Sequence, residues 1–406
     1  MRITNIELIN LGLIILFMAL FFLTPFLEYG SLILYYAVII LWFITAQKID
    51  KFAFKGTRFF IFFFVYILAI NAAFSINHGN LDFFKKCLGG QILSYFSFYF
   101  YSFYSRHLRL FDIVLKFLIL FLLISAAFTI IGNSLFYQPS RALANPEDPN
   151  FALYRSLFIG GYEYIYAIVL FVPPFVYHQK MKKGNIMSYY IPMFCIAILS
   201  YCILMSSYTT AILLTLIGTM AAFVKSKNLK TIIISFSVIF IFVYLLKDVF
   251  LLWLNNFGES IDSYALTTRS RQLLEGSYSD ENGDLGRDQR FINGLLNFLS
   301  SPLWGQILGN TDPKLADHSG LGNYLDYYGL MGIIFYKIIS VIYKKTKESY
   351  RNLRIQNYYN IYIFLALFLF LVDTFDYNPS LCFMAFFVGP CLIKSCEFFS
   401  STKNIL

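Results

Sequence analysis

The chain has 406 residues, of which 58% are hydrophobic and only 14% charged, and its formal net charge is +9. A water-facing domain carries roughly 25% charged residues, so a soluble exterior is excluded. The Lys and Arg residues fall between apolar runs rather than along one stripe, which excludes nucleic acid as a partner and makes the excess charge a topology signal.

Apolar runs of about 17 to 23 residues recur along almost the whole length, the span of a hydrocarbon core at helical rise. They are too continuous for barrel strands, so the fold expected is an all-α polytopic integral membrane protein. The spans fall near 8–25, 31–47, 58–76, 88–104, 112–133, 161–177, 187–205, 208–224, 231–253, 326–342, 358–374 and 379–395. That makes about 12 transmembrane helices in one membrane domain over residues 1–406. The first run is too long for a signal-peptide core and is read as a retained helix. Every second connection is basic: Lys48, Lys51, Lys55 and Arg58; Arg106 and Arg109; Lys180, Lys182 and Lys183; Lys225, Lys227 and Lys230; Lys344, Lys345 and Lys347. The opposite short connections hold Glu28, Asp82 and Asp376 instead. By the positive-inside rule both termini are cytoplasmic. The six cysteines lie in or at the ends of apolar runs, with no disulfide or zinc spacing, and read as small packing residues.

Two outward connections are long: residues 134–160, and a large extracytoplasmic loop between helices 9 and 10 at 254–325. The second is net acidic, yet it places Arg269, Arg271, Arg287 and Arg290 on the side where positive charge is scarce. Loops of this length are functional or disordered, and this one is not of low complexity. Near 287–300 the apolar residues Phe291, Leu295, Phe298 and Leu299 recur at helical spacing, so a short interfacial helix is expected there, ending before Ser301-Pro302 and a turn at Trp304-Gly305. It would set Arg287 and Arg290 at headgroup height, where their planar forks either grip lipid-linked phosphate or serve membrane lipid and neighbouring acids. In the first loop, Arg141 and Arg155 flank turn signals at Asn145-Pro146 and Asp148-Pro149; Arg155 points at the headgroup zone, as a phosphate ligand or as an anchor. Asp317 and His318 precede a segment whose Gly329 and Gly332 suit close helix packing. A neutral imidazole there can accept a proton from a sugar hydroxyl, and a carboxylate can do so less well. No phosphate-binding glycine loop, HExxH or Asp-x-Asp pair is present, so the chemistry expected needs neither metal nor cofactor.

These residues resemble a known family. Gly286-Arg287, Phe291, the stretch Phe298 to Pro302 with Gly305, Asp317-His318-Ser319, and Tyr324-Leu325 through Gly329-Leu330-Met331-Gly332 are similar to the O-antigen polymerase (Wzy) and O-antigen ligase superfamily of bacterial envelope glycosyltransferases. The motif match covers residues 286–332, and the late large loop agrees with the layout of the family. The resemblance implies a multi-pass protein of the bacterial inner membrane that moves a glycan from an undecaprenyl-diphosphate carrier to an acceptor hydroxyl. It implies that Arg287 and Arg155 grip the carrier diphosphate, with Arg290 and Arg141 beside them, and that His318 or Asp317 activates the acceptor. It also implies a chain-length regulator protein as partner. The Asp-His-Ser order is closer to polymerases than to ligases, although Asn323 comes five residues after His318, later than the ligase pattern places it.

The function expected is therefore a polymerase joining lipid-linked repeat units into O-antigen or a related surface polysaccharide. The alternatives are a ligase that moves finished polymer to lipid A–core and, from another class, a flippase for lipid-linked oligosaccharides. A transporter would show a two-fold repeat and charged or broken helices at the midplane, and the sequence has no convincing repeat.

Overall fold

The computed structural model describes residues 3–23, 25–26, 31–136, 139–143, 148–182, 187–206, 208–223, 247–260, 267, 270–271, 274, 287–309, 320–372 and 378–401. All regular structure among them is helical. In chain order the helices are α1 (Asn5–Phe22), α2 (Leu32–Ile49), α3 (Phe59–Asn77) and α4 (Asp82–Cys87). Through a π turn (Leu88–Ile92), α4 continues into α5 (Leu93–Tyr104). Then come α6 (Leu108–Leu135), the short α7 (Pro139–Ala142) and α8 (Phe151–Ser156), α9 (Tyr162–Met181), α10 (Met187–Ser206), α11 (Thr209–Phe223) and α12 (Lys247–Ser260). The last third holds α13 (Arg287–Ser300), α14 (Gly320–Tyr328), α15 (Ile333–Glu348) and α16 (Leu353–Val372). It closes with α17 (Pro379–Phe383), which runs through a second π turn (Met384–Val388) into α18 (Gly389–Ser401).

The protein is a helical membrane protein. Among the described residues six stretches are long and apolar enough to cross a bilayer: Asn5–Phe22, Leu32–Ile49, Phe59–Asn77, Leu108–Leu135, Tyr324–Glu348 and Pro379–Glu397. Two shorter apolar helices, Tyr190–Ser206 and Thr210–Phe223, accompany them. Of the ninth expected span, residues 231–246 lie outside the described residues; α12 then runs on to Ser260, beyond the expected boundary at 254.

The layers invert those of a soluble protein. The peripheral helices turn large apolar side chains outward, among them Ile33 on α2 and Phe62 on α3, a surface that lipid stabilises and water would not. The centre is richer in hydroxyls. Every residue of α9 from Tyr164 to His178 is buried; α18 and the second π turn pack on it, and α5, with its buried Ser94, Tyr95 and Tyr104, packs on that turn. Backbone groups in such a centre must be met internally. In each π turn the first carbonyl is met by a tyrosine of a neighbouring helix: Tyr36 Oη donates to Leu88 O at 2.8 Å, and Tyr362 Oη donates to Met384 O at 2.7 Å. A π turn widens the helical ladder and turns a carbonyl outward, and the hydroxyl closes it.

The basic connections gather at one end of the bundle. There Arg106 pairs with Asp50 at 2.8 Å, Lys345 Nζ donates to Gly56 O at 2.7 Å, and Lys180 Nζ donates to Ala222 O at 3.0 Å. The long connections leave from the opposite end, where α3 stops at Asn77 and α9 begins at Tyr162.

Candidate functional site at the loop end

A helix runs over Arg287–Ser300, α13, where a short interfacial one was expected. Ile292, Leu295, Leu296 and Leu299, spaced for one helical face, are exposed. Asn297 turns inward from α13 toward α14. After Ser300, Pro302 cannot extend the helix, and the chain reverses through a turn in which Gly305 N donates to Ser301 O at 2.8 Å.

Gly329 and Gly332, suited in the sequence to close packing, do approach their neighbours closely, but at a turn and not along a helix. They bound a 3-10 turn, Gly329–Gly332, that separates α14 from α15. This turn is joined to the one after α13. Leu330 N donates to Pro302 O at 2.8 Å and Met331 N to Leu303 O at 3.4 Å. Gly305 (φ +53) and Gly329 (φ +54) meet backbone to backbone, and a Cβ on Gly329 would lie 2.6 Å from Gly305 N and 2.7 Å from Pro302 O. Both the left-handed backbone and the contact require glycine. Two motifs separated by more than twenty residues therefore form one weld, reached by α13 and α14 through their C-terminal ends.

Polar side chains anchor the weld to the bundle. Asn71 Nδ2 donates to Gln91 Oε1 at 3.0 Å, Gln91 Nε2 donates to Tyr328 Oη at 2.9 Å, and Tyr328 Oη donates to Asn71 Oδ1 at 2.9 Å. This closed buried ring links α3, the first π turn and α14, each group donating and accepting once, the arrangement in which neighbouring bonds strengthen one another. Beside it His78 Nε2 lies 2.7 Å from Gln306 O; a carbonyl only accepts, so this nitrogen carries the hydrogen. Asn77 Nδ2 donates to Gly309 O at 3.1 Å, and the Gln306 side chain reaches the buried Asp326.

Asp317 and His318 lie outside the described residues, three and two positions before the first residue of α14. Arg287 and Arg290 occupy the first turn of α13, and Arg141 lies in α7; for these three only the helix they belong to is described. Arg155 is half-buried on α8 and stands 5.2 Å over the Phe151 ring. Its helix ends in a double reversal, with Ile159 N donating to Tyr154 O and Phe158 N to Arg155 O, both at 3.2 Å. That pattern calls for glycine at the left-handed position, yet Phe158 holds it at φ 60, stacked on Phe128 with ring centroids 5.3 Å apart. The first loop is also tied to α11, where Tyr208 Oη donates to Ser140 O at 2.9 Å.

Sequence reasoning missed Asp326, Gln306, Asn71, Gln91 and Tyr328. The signal was present: a carboxylate and amides within otherwise apolar runs are costly in a membrane and mark sites that matter.

No protein-family model matches the chain, and comparison with curated proteins returns no match.

Proposed function

We propose that the chain joins lipid-linked oligosaccharide repeats into a surface polysaccharide at the periplasmic face of the inner membrane, taking undecaprenyl-diphosphate-linked glycans as both donor and acceptor. The observation that most supports this reading is the weld between the Pro302–Gly305 and Gly329–Gly332 turns. Both helices approach it by their C-terminal ends and pack together, so their N-terminal ends open away from it. One of those ends carries Arg287 and Arg290. The other follows His318 within two residues, a chain reach of about 7 Å. The exposed apolar face of α13 suits a substrate whose carrier lies in the membrane and whose diphosphate sits at headgroup level.

The reaction is a single displacement. The acceptor hydroxyl oxygen attacks the anomeric carbon of the donor sugar, and the bond from that carbon to the diphosphate oxygen breaks with inversion. The hydroxyl proton passes to His318 or Asp317 as general base. The carrier diphosphate leaves as the anion, and Arg287, with Arg290, Arg155 and Arg141, stabilises the negative charge as it develops. Diphosphate is a good leaving group, so no general acid is required.

The test is a lipopolysaccharide gel from a deletion strain that carries the wild-type gene, Arg287→Ala or His318→Ala. Core bearing a single repeat, with the long ladder gone, is the outcome expected for the deletion and for both variants. Polymer that accumulates on the carrier while none reaches the core would replace the reading with a ligase. Single carrier-linked repeats held on the cytoplasmic side would replace it with a flippase.

A further inference from the structure

The joint between α13 and α14 contains a carboxyl that the reaction above does not use. Asp326 is fully buried, in a stretch where an ionisable side chain costs free energy and is kept only where it serves something. Its Oδ1 accepts a long hydrogen bond, 3.4 Å, from Gln306 Nε2 in the turn after α13. The Asn297 amide, on α13 itself, stands beside the same carboxyl; Asn297 Nδ2 and Asp326 Oδ2 are both buried, and neither closes a hydrogen bond. One carboxyl on α14 thus faces two amides of the α13 segment. Two residues further along α14, Tyr328 belongs to the ring that fixes this helix to α3 and the first π turn. His78 holds the backbone of Gln306 from the end of α3. The frame is therefore rigid on the α14 side, and α13 is attached to it by the glycine weld at its base and by Asp326 one turn above.

We propose that Asp326 is a positioning residue: its buried carboxyl engages Asn297 and Gln306 and so sets the angle at which α13 leaves the weld. The inference rests on the glycan-transfer reading, in which the arginines at the far end of α13 must meet a diphosphate held near Asp317 and His318. The lever is long. Arg287 lies ten residues from Asn297, about 15 Å along a helix, so a tilt of about 10° at Asn297 moves the arginine backbone by roughly 2.6 Å. Displacements of about an ångström at a reacting centre cost on the order of 100-fold in rate. The glycine weld fixes where α13 begins its approach; the Asp326 contact fixes the direction.

Three changes in the full chain test this: Asp326→Ala, Asp326→Asn, and the exchange Asn297→Asp with Asp326→Asn, which restores one carboxyl and one amide in swapped places. Each is read by its level in the membrane, by the length distribution of surface polysaccharide, and by the distance between spin labels on cysteines introduced at the exposed Ile292 and Ile333. The six native cysteines are buried, so the introduced pair takes the label. Asp326→Ala at normal level is expected to lower long polymer at least about tenfold and to broaden a single narrow distance, and the exchange is expected to restore both. An alanine variant that keeps the ladder and the narrow distance overturns the proposal. So does an exchange that restores protein level without restoring distance or polymer, the result of a merely structural role. If Asp326→Ala does not accumulate, Asp326→Asn decides: the same shape with two amides facing each other is expected to broaden the distance, and an unchanged distance overturns the proposal. A ladder that survives Arg287→Ala would sink the transfer reading alone, because the distance measurement does not depend on activity.

Discussion

The two ends of the bundle are held together by different chemistry. At the basic end, charged side chains serve the backbone. Lys180, in the last turn of α9, donates to Ala222 O near the end of α11, and Lys345, in the last turn of α15, donates to Gly56 O. Lys394 pairs with Glu397 at 2.6 Å and also donates to Ser349 O, while Glu397 accepts from the backbone N–H groups of Arg351 and Asn352. Helix C-terminal carbonyls carry partial negative charge, so lysines placed near them cap the helices. At the loop end the weld is anchored chiefly by amides, a tyrosine hydroxyl, an imidazole N–H and two glycines in van der Waals contact, with the Asp326 carboxyl among them. Of the loop-end arginines, Arg155 lies over a phenyl ring and Arg271 stands 3.8 Å from Glu259. The basic end uses its cations on the fold. The weld at the loop end is built mainly from uncharged groups.

The largest effect that follows is at the glycine weld. Gly329→Ala and Gly305→Ala each place a Cβ within 3 Å of backbone atoms and force a left-handed backbone on an L side chain. The left-handed backbone costs about 1–2 kcal/mol and the overlap a further 1–3 kcal/mol. Gly12→Ala on α1, where nothing lies within 4 Å of the new Cβ, is expected to be neutral or to stabilise by about 0.5–1 kcal/mol through helix propensity. Thermal unfolding in detergent separates the two cases. Equal transition temperatures for Gly329→Ala and Gly12→Ala would mean the weld is not a joint at all.

A smaller loss is expected from the uncharged joints. Gln91→Leu leaves both Tyr328 Oη and the Asn71 amide with one partner fewer in a buried place, at a cost of about 1–3 kcal/mol. Tyr36→Phe removes the hydroxyl that closes the first π turn, at a cost of about 1 kcal/mol. Because no charge is involved, both losses are expected to be the same in 50 mM and 500 mM salt. A strong salt dependence for Gln91→Leu would erase the distinction between the two ends.

Much of this architecture was legible in the sequence, and the part that was not has a physical cause. Apolar runs and basic connections report on lipid and on membrane charge, which act on each segment locally; α1, α2, α3 and α6 lie close to their expected places for that reason. The helix at 287–300 was legible because Phe291, Leu295, Phe298 and Leu299 recur at helical spacing before a proline. The joint was not. Gly305 and Gly329 each look like an ordinary turn glycine, and only the close approach of two distant segments shows why both must be glycine. Asp326, a carboxylate at the start of an apolar run, was passed over, and its weight shows only in its burial. The candidate base, Asp317 or His318, lies outside the described residues, so its assignment rests on the motif.

The smallest effect belongs to the basic end and carries its signature in pH and salt. Burial works against ionisation of Asp50, but the Phe52 N–H at 2.9 Å and the Arg106 guanidinium at 2.8 Å, with the His107 ring nearby, hold its carboxyl below the usual carboxylate range. A carboxyl whose pKa is lower folded than unfolded contributes stability above its unfolded value, near 3.9, and loses that contribution as pH falls through the folded value. Asp50→Asn should therefore lower the transition temperature slightly at pH 7, by under about 1 kcal/mol because the Arg106 side chain is half exposed. The gap to the wild type should close as pH falls below about 4, and at pH 7 it should shrink as salt rises. If the gap instead persists at pH 3, the Asp50 side chain acts through its shape and its bond to Phe52, and charge does not hold this corner of the basic end.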